Sequence, residues 1–368
     1  MTTSTGQSFG STSALILPNP RRIKPGDTYQ MQQLRIRKYS KNFSGLQLES
    51  VEKPTVSRDR PVLVRVKASS LNPVDLKMAT GESKALAQGT LPLPLGVDHC
   101  GTIEEIHGDI PGFSVGDHVI GYTGIAAPRA FSDWIVVHPS EIAVIDRTIP
   151  FAELGATPLN ALTAYQALRF GGVTRGSRVL IHGGAGGVGS MAIQIANRLG
   201  AHVISTAKKR DFDFLRSMGA NDCIDFETDD FSMNVRDVDF VLDILGGEVL
   251  KKSERCLKPG ATLVSTSAPP VPEDLENAGL KLNSFLRIVL RLLSGASLRR
   301  ARRGHYRFKA LVTTPNAEDL HSVARLIESG VRARIGATLK LDELSSFLQK
   351  SVRNSQGKIL IMVNNDGA

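Results

Sequence analysis

At 368 residues, with 41% hydrophobic and 22% charged side chains, the chain is long enough for two globular domains. It holds no run of about 18 apolar residues, which excludes a transmembrane helix, and its three cysteines (Cys100, Cys223, Cys256) are too few and scattered for a disulfide framework and point to a reducing compartment. The formal charge of +9 is local, since nine Lys or Arg residues and no acid lie between Asn277 and Ala317, and this argues against a general nucleic-acid surface.

Residues 1–29 are rich in Ser and Thr and hold no acid before Asp27. They read as a disordered tail, with a targeting peptide as the alternative. Short β-like runs then follow, including Val62–Val66, Gly101–Ile103, His118–Ile120 and Asp133–Val137, punctuated by Gly, Pro and Asp. A helical pattern from Pro150 to Leu168 leads into alternating strands and helices up to Val312. That alternation implies a doubly wound parallel sheet with its ligand at the carboxyl ends of the strands. Glu318–Ser329 and Leu339–Gln349 read as helices and Lys358–Val363 as a closing strand of the first domain. The expected division is a tail at 1–29, a mostly-β domain at 30–160 completed by 313–368, and a dinucleotide domain at 161–312. The fold class is α/β.

The most specific feature is Val179-Leu180-Ile181-His182 running into Gly183, Gly184, Gly186, Gly187 and Gly189, with an amphipathic helix behind it. Gly184, Gly186 and Gly189 satisfy G-x-G-x-x-G after a strand and before a helix. Such a turn brings backbone N–H groups and the positive end of a helix to a pyrophosphate, which makes Gly184, Ala185, Gly186, Gly187, Val188 and Gly189 cofactor-binding candidates. The next strand runs into Ser205-Thr206-Ala207-Lys208-Lys209-Arg210, with no acid before Asp211. A carboxylate there would accept from a ribose 2′-hydroxyl, whereas hydroxyls and cations suit a 2′-phosphate. Thr206, Lys208, Lys209 and Arg210 therefore favour NADPH.

Several blocks now fall into one order: Ser70-Leu71-Asn72-Pro73-Val74-Asp75-Leu76-Lys77, Pro94–Asp98, Val115–Val119, Leu162–Leu168, the glycine turn, Leu242–Gly247 and Gly357-Lys358. Over roughly residues 31–368 the chain resembles the medium-chain dehydrogenase/reductase superfamily, in its zinc-independent, quinone-oxidoreductase-like branch. The resemblance implies a GroES-like substrate domain around a Rossmann domain, and a homodimer. It also implies NADPH-driven reduction of a quinone or an α,β-unsaturated carbonyl. Thr163, Gly246, Phe308 and Lys358 join the cofactor set on its account. Zinc-dependent relatives have a cysteine where Asn72 stands and a histidine where Val97 stands, so no metal is expected. Relatives often have a tyrosine at the 2′-phosphate where this chain has Phe226.

Without a Lewis acid, hydride would attack a double bond that is already polarised, and the developing enolate needs donors and a proton. Asn72 is the candidate donor and Lys77 the candidate for stabilising or protonating the enolate; Asp75 reads as a loop anchor. An enoyl-thioester reductase and a non-catalytic NADPH-binding sensor remain alternatives. Residues 282–303 place Phe285, Ile288, Val289 and Leu292 at helical spacing beside arginines, with a break expected at Ser294-Gly295. This segment reads as packing over the cleft or a dimer interface, or as peripheral membrane contact. A cytoplasmic location is expected, or a mitochondrion or plastid if the tail is a transit peptide.

Overall fold

The computed structural model describes residues 29–350 and 357–363; the expected tail lies outside them. Two large sheets carry the architecture. One is six-stranded and wholly parallel, in the order Asp222–Asp225, His202–Ala207, Arg178–Ile181, Val238–Asp243, Leu257–Ser265, Arg307–Ala310. The chain builds outward from Arg178–Ile181 in one direction, then returns to build in the other. The reversal lies between Arg178–Ile181 and Val238–Asp243, where a doubly wound sheet opens a crevice for its ligand. The glycine turn leaves the sheet at that crevice.

The other sheet is seven-stranded. Ile335–Lys340, Lys358–Met362, Val62–Leu71, Asp98–Ile106, His118–Tyr122 and Ile142–Val144 follow one another, and Trp134–Val137 pairs separately with Val62–Leu71. Lys358–Met362 runs antiparallel to Val62–Leu71, with Ile359 opposite Leu71. The chain therefore returns to its first unit, and residues nearly 290 positions apart become neighbours. Val62, Val64 and Val66 alternate along their strand and pack with Ile103, Val119 and Ile135, the period of two that a strand imposes.

The two units share a continuous core. The helix Pro158–Gly171, buried along almost its whole length, touches Ala68, Val97 and Tyr122 of the first sheet. The same cluster holds Met191 and Ile195 of the helix Gly187–Arg198, and Leu320, Val323 and Ile327 of the helix Ala317–Glu328. A cleft between the units thus sits on a rigid floor.

Two expectations are corrected. Leu339–Gln349 is not one helix: Ile335–Lys340 is a strand paired with Lys358–Met362, and the helix begins at Leu344. Edge pairing overrides the helical spacing of its leucines. The expected break at Ser294-Gly295 does not occur, because one helix runs from Ser284 to Arg303. Ser294 turns inward and its Oγ donates to the Leu290 carbonyl at 2.8 Å, and packing offsets the roughly 1 kcal/mol that a helical glycine costs. The inner face of this helix packs through Leu290 in a cluster with Leu275 and Leu280, which Leu86 and Ile125 of the cavity wall adjoin. Its outer face leaves Phe285, Ile288 and Leu292 exposed. Arg287, Arg291 and Arg300 are paired with Glu276, Glu273 and Glu254, so the local charge is smaller than the sequence suggests. Among the described residues no helix is long and apolar enough to cross a membrane.

Candidate active site

The glycine turn is shaped by the absence of side chains. Gly183 takes a left-handed conformation at φ +63°, which only glycine adopts without cost. A Cβ on Gly184 would overlap Ser205 Oγ and stand 2.9 Å from Ile193 Cδ1; one on Gly189 would overlap the Gly183 carbonyl oxygen. A Cβ on Gly187 would stand 2.7 Å from Asn160 Oδ1. The helix starts at Gly187 with no side chain capping it. Among the described residues the N–H groups of Gly187, Val188 and Gly189 meet no acceptor. Three free donors on backbone that only glycines let a ligand approach are the fit a pyrophosphate requires. Ala185 and Val188, half-buried on the same turn, pack against the shared core. Gly246, at φ +74° and also ahead of a helix, is tied by its N–H to Asp243 Oδ1 at 2.9 Å. It closes the turn after the neighbouring strand.

The basic stretch divides. Lys208 forms an ion pair with Glu227 at 2.5 Å, and Lys209 and Arg210 are exposed. These three stand beyond the end of His202–Ala207, where the adenosine ribose of a dinucleotide belongs. Thr206 does not join them. It is 2% exposed, and its Oγ1 is 3.1 Å from His182 Nδ1. His182 is held on its other side by Ser253 Oγ at 2.8 Å, and burial pushes it down to about 4, so it is neutral. Thr206, expected as a phosphate contact, is placed as a lock behind the turn.

The second part of the site is a buried polar centre around Asn72, the residue ahead of the helix Pro73–Thr80. Lys358 Nζ donates to Asn72 Oδ1 at 2.6 Å and to the Leu71 carbonyl at 2.8 Å. Asn72 Nδ2 donates to the Ser70 carbonyl at 2.9 Å. The ammonium thereby fixes which end of the amide is oxygen, and Nδ2 also faces Ser70 Oγ at 3.4 Å and the Asp98 carboxylate. Asp98 accepts from Ser70 N–H at 3.1 Å and Ser70 Oγ at 2.8 Å, donors that favour its ionised form against the upward push of burial. Asp75 Oδ2 accepts from Asn72 N–H at 2.9 Å, and its Oδ1 is buried without a partner. Burial first, then the Asp98 charge, raises Asp75 to about 7. Burial also lowers Lys358, against the attraction of Asp98 and Asp75.

Asp75 predicts a pH signature. Its folded-state value of about 7 lies above the ordinary 3.8, so between the two the folded protein keeps a proton that the unfolded chain releases. The associated stability is fully present below 3.8 and is lost as pH rises through about 7. Asp75→Asn keeps an acceptor for Asn72 N–H and removes the titration. In urea unfolding at a series of pH values, wild-type stability minus variant stability is expected to fall steadily over that window; a flat difference would show Asp75 to be ionised throughout.

Lys77 is not part of this centre. It is exposed, while Val74 and Met78, one turn apart on its helix, line the adjoining cavity. The cation beside Asn72 is Lys358, expected as a cofactor contact. Its stem does reach the glycine turn, 3.1 Å from where a Gly187 Cβ would be, but its ammonium is spent on Leu71 and Asn72. Phe308, also expected as a cofactor contact, lies within the edge strand Arg307–Ala310 and packs in a cluster with Leu263, Ala301 and Tyr306. The residue sequence reasoning missed is Thr313, beyond that strand's carboxyl end. Its Oγ1 is 2.8 Å from Thr163 Oγ1, and its carbonyl accepts from Tyr122 Oη at 3.3 Å. The one signal was a Thr-Thr-Pro run closing a parallel strand.

The cavity beside Val74 has a volume of about 360 Å³ and is walled by Met78, Leu86, Ile125, Ala126 and Leu280, with Arg60, Lys84 and Arg129 among its polar lining. A zinc ion does not fit the centre next to it. Asn72 Oδ1 already accepts from an ammonium, Val97 offers no donor, and among the described residues no three His, Cys, Asp or Glu side chains converge on one point.

Comparison with known proteins agrees with this geometry. Residues 58–138 match the alcohol dehydrogenase GroES-like domain and residues 187–312 the zinc-binding dehydrogenase domain. The chain is 27% identical over 348 residues to the mitochondrial reticulon-4-interacting protein 1 of Caenorhabditis elegans, covering 88% of this chain and 93% of that one. It is 32% identical over 237 residues to a 2-methylene-furan-3-one reductase of Solanum lycopersicum, covering 62% and 60%. Among solved structures, the quinone oxidoreductase of Coxiella burnetii superposes with a TM-score of 0.76 at 30% identity, covering 91% of this chain and all of that one. The chain belongs to the medium-chain dehydrogenase/reductase superfamily of nicotinamide-dependent oxidoreductases, in its quinone-oxidoreductase-like branch.

Proposed function

We propose that the protein is an NADPH-dependent, zinc-independent reductase of quinones or α,β-unsaturated carbonyls. The observation that carries this reading is an apolar cavity lined by Val74, two residues along the chain from an amide whose oxygen is held by an ammonium rather than a metal ligand set. The names of two relatives, a 2-methylene-furan-3-one reductase and a quinone oxidoreductase, support the same chemistry.

Bound NADPH would supply the hydride. The glycine turn would hold its pyrophosphate through the N–H groups of Gly187, Val188 and Gly189. Lys208, Lys209 and Arg210 would discriminate for the 2′-phosphate. Asn72 Nδ2, which rests on Ser70 and faces Asp98, would turn a hydrogen to the oxygen that gains charge as the double bond is reduced. Lys358 is a positioning residue, holding the amide so that nitrogen and not oxygen faces the acceptor. The apolar walls exclude water while charge develops.

The test is NADPH consumption with a panel of quinones, alkenals and enoyl thioesters, alongside cofactor fluorescence titration. Turnover of the first two classes supports the proposal. Preference for thioesters would replace it with an enoyl-thioester reductase, and tight binding without turnover with a sensor. In the same assay, Lys208→Ala with Lys209→Ala is expected to raise KM for NADPH about tenfold or more, from loss of charge-assisted contacts, and to leave KM for NADH nearly unmoved. Equal effects on the two cofactors would remove the basic stretch from the site.

A further inference from the structure

The cavity holds more charge than a quinone or a simple enone needs. Arg60, Lys84 and Arg129 line it, and none of its lining residues is an acid. The nearest counter-charge on the guanidinium groups is Glu141, outside the lining. It accepts from Arg129 Nη2 at 2.5 Å and from Arg60 Nη1 at 3.2 Å. One carboxylate thus faces two guanidinium groups.

The two arginines are not equivalent. Arg129 commits all three nitrogens, with Nε on the Val136 carbonyl at 3.0 Å, Nη1 on the Ala127 carbonyl at 2.6 Å and Nη2 on Glu141, and it is a fixture of the wall. Arg60 commits a single nitrogen, to Glu141. Its Nε and Nη2 meet no acceptor among the described residues. Lys84, exposed on the short turn Lys84–Leu86, has no ion-pair partner among the described residues. A cavity with apolar walls, a net positive lining and a guanidinium with donors to spare is complementary to an apolar body bearing an anion.

Resting on the reading of this cavity as the acceptor site, we propose that the natural acceptor is amphipathic and anionic. Its reducible double bond would lie toward Asn72 and its carboxylate, sulfate or phosphate group against Arg60 and Lys84. Arg60 and Lys84 are then specificity-determining residues, and the reaction that supplies the substrate must leave an acidic group on an unsaturated carbonyl compound.

Three probes of one skeleton separate charge from shape: 3-nonen-2-one, its ω-carboxylate 8-oxonon-6-enoic acid, and the methyl ester of that acid. At saturating NADPH, kcat/KM for the acid is expected to exceed that for the ester by about tenfold, the effect of one charge-assisted contact. That ratio should shrink toward one in Lys84→Gln and in Arg60→Gln, and in wild type as salt is raised. Lys84 is exposed, so its variant serves even if loss of the Arg60–Glu141 pair impairs folding. Equal turnover of acid and ester in wild type, or a ratio that survives both substitutions, overturns the proposal and leaves the enone reductase standing. Turnover of none of the three overturns both.

Discussion

Lys358→Met is expected to destabilise the protein by about 3–5 kcal/mol, the range for breaking a buried ion pair by deleting one partner. The loss has three parts. Asn72 Oδ1 and the Leu71 carbonyl lose their donor. Asp98 and Asp75 lose the Lys358 charge that opposes the upward push of burial on both. The amide of Asn72 is then free to turn over. Chemical denaturation at neutral pH measures the first two effects. The third appears as a fall in kcat that is larger than any rise in KM for NADPH, because the cofactor contacts lie on the glycine turn. A variant of wild-type stability would mean that the ammonium is not the counter-ion of this centre. Loss of stability with unchanged kcat would confine Lys358 to a structural role.

Gly189→Ala is expected to weaken NADPH binding by roughly tenfold or more, since overpacking of about 1–3 kcal/mol falls on the turn itself. The new Cβ would overlap the Gly183 carbonyl oxygen and stand 2.9 Å from Gly184 Cα. Both are backbone atoms, so relief requires the turn to move rather than a side chain to rotate. Gly186→Ala provides the contrast. Its Cβ would find nothing nearer than 3.2 Å within the protein, and its φ is −81°, which any residue adopts. That variant should fold like wild type and still lose cofactor affinity, because the space it fills is the ligand's. Thermal unfolding with and without NADPH separates the two: both variants lose the ligand-induced shift, and only Gly189→Ala also melts earlier when unliganded. A Gly186→Ala protein that kept its full NADPH shift would take the pyrophosphate away from this turn.

The glycine turn was legible because its constraints are local: a strand, a reversal and a helix follow one another within a dozen residues. Asn72 was legible through its motif. The cation that serves it was not, since proximity in sequence points to Lys77, while the pairing of Leu71 with Ile359 brings in Lys358 instead. Sheet register at long range leaves no periodic trace in either segment. Thr206 lies apart from the basic stretch because its strand is covered on both faces, with Val203 to Ala207 all buried, and its hydroxyl turns to His182. The ring of Phe308 serves a hydrophobic cluster on the sheet's edge, a role its motif did not announce. The charge of the arginine-rich helix was overcounted because the acids that neutralise part of it come from Glu254, Glu273 and Glu276, outside the basic window.

The return of Lys358–Met362 into the first sheet sets an order for biosynthesis. When a ribosome has completed the first β-rich unit, the nascent chain already holds Asn72, Asp75 and Asp98 but lacks the ammonium that balances them. The parallel sheet is then made in full while that centre stays open to water, since a chain folding from its N-terminus cannot bury unmatched carboxylates without penalty. Closure waits for the strand that carries Lys358. The polar centre around Asn72 is therefore expected to be completed last, and polypeptides interrupted before that strand would carry the parallel sheet with Asn72 lacking its ammonium.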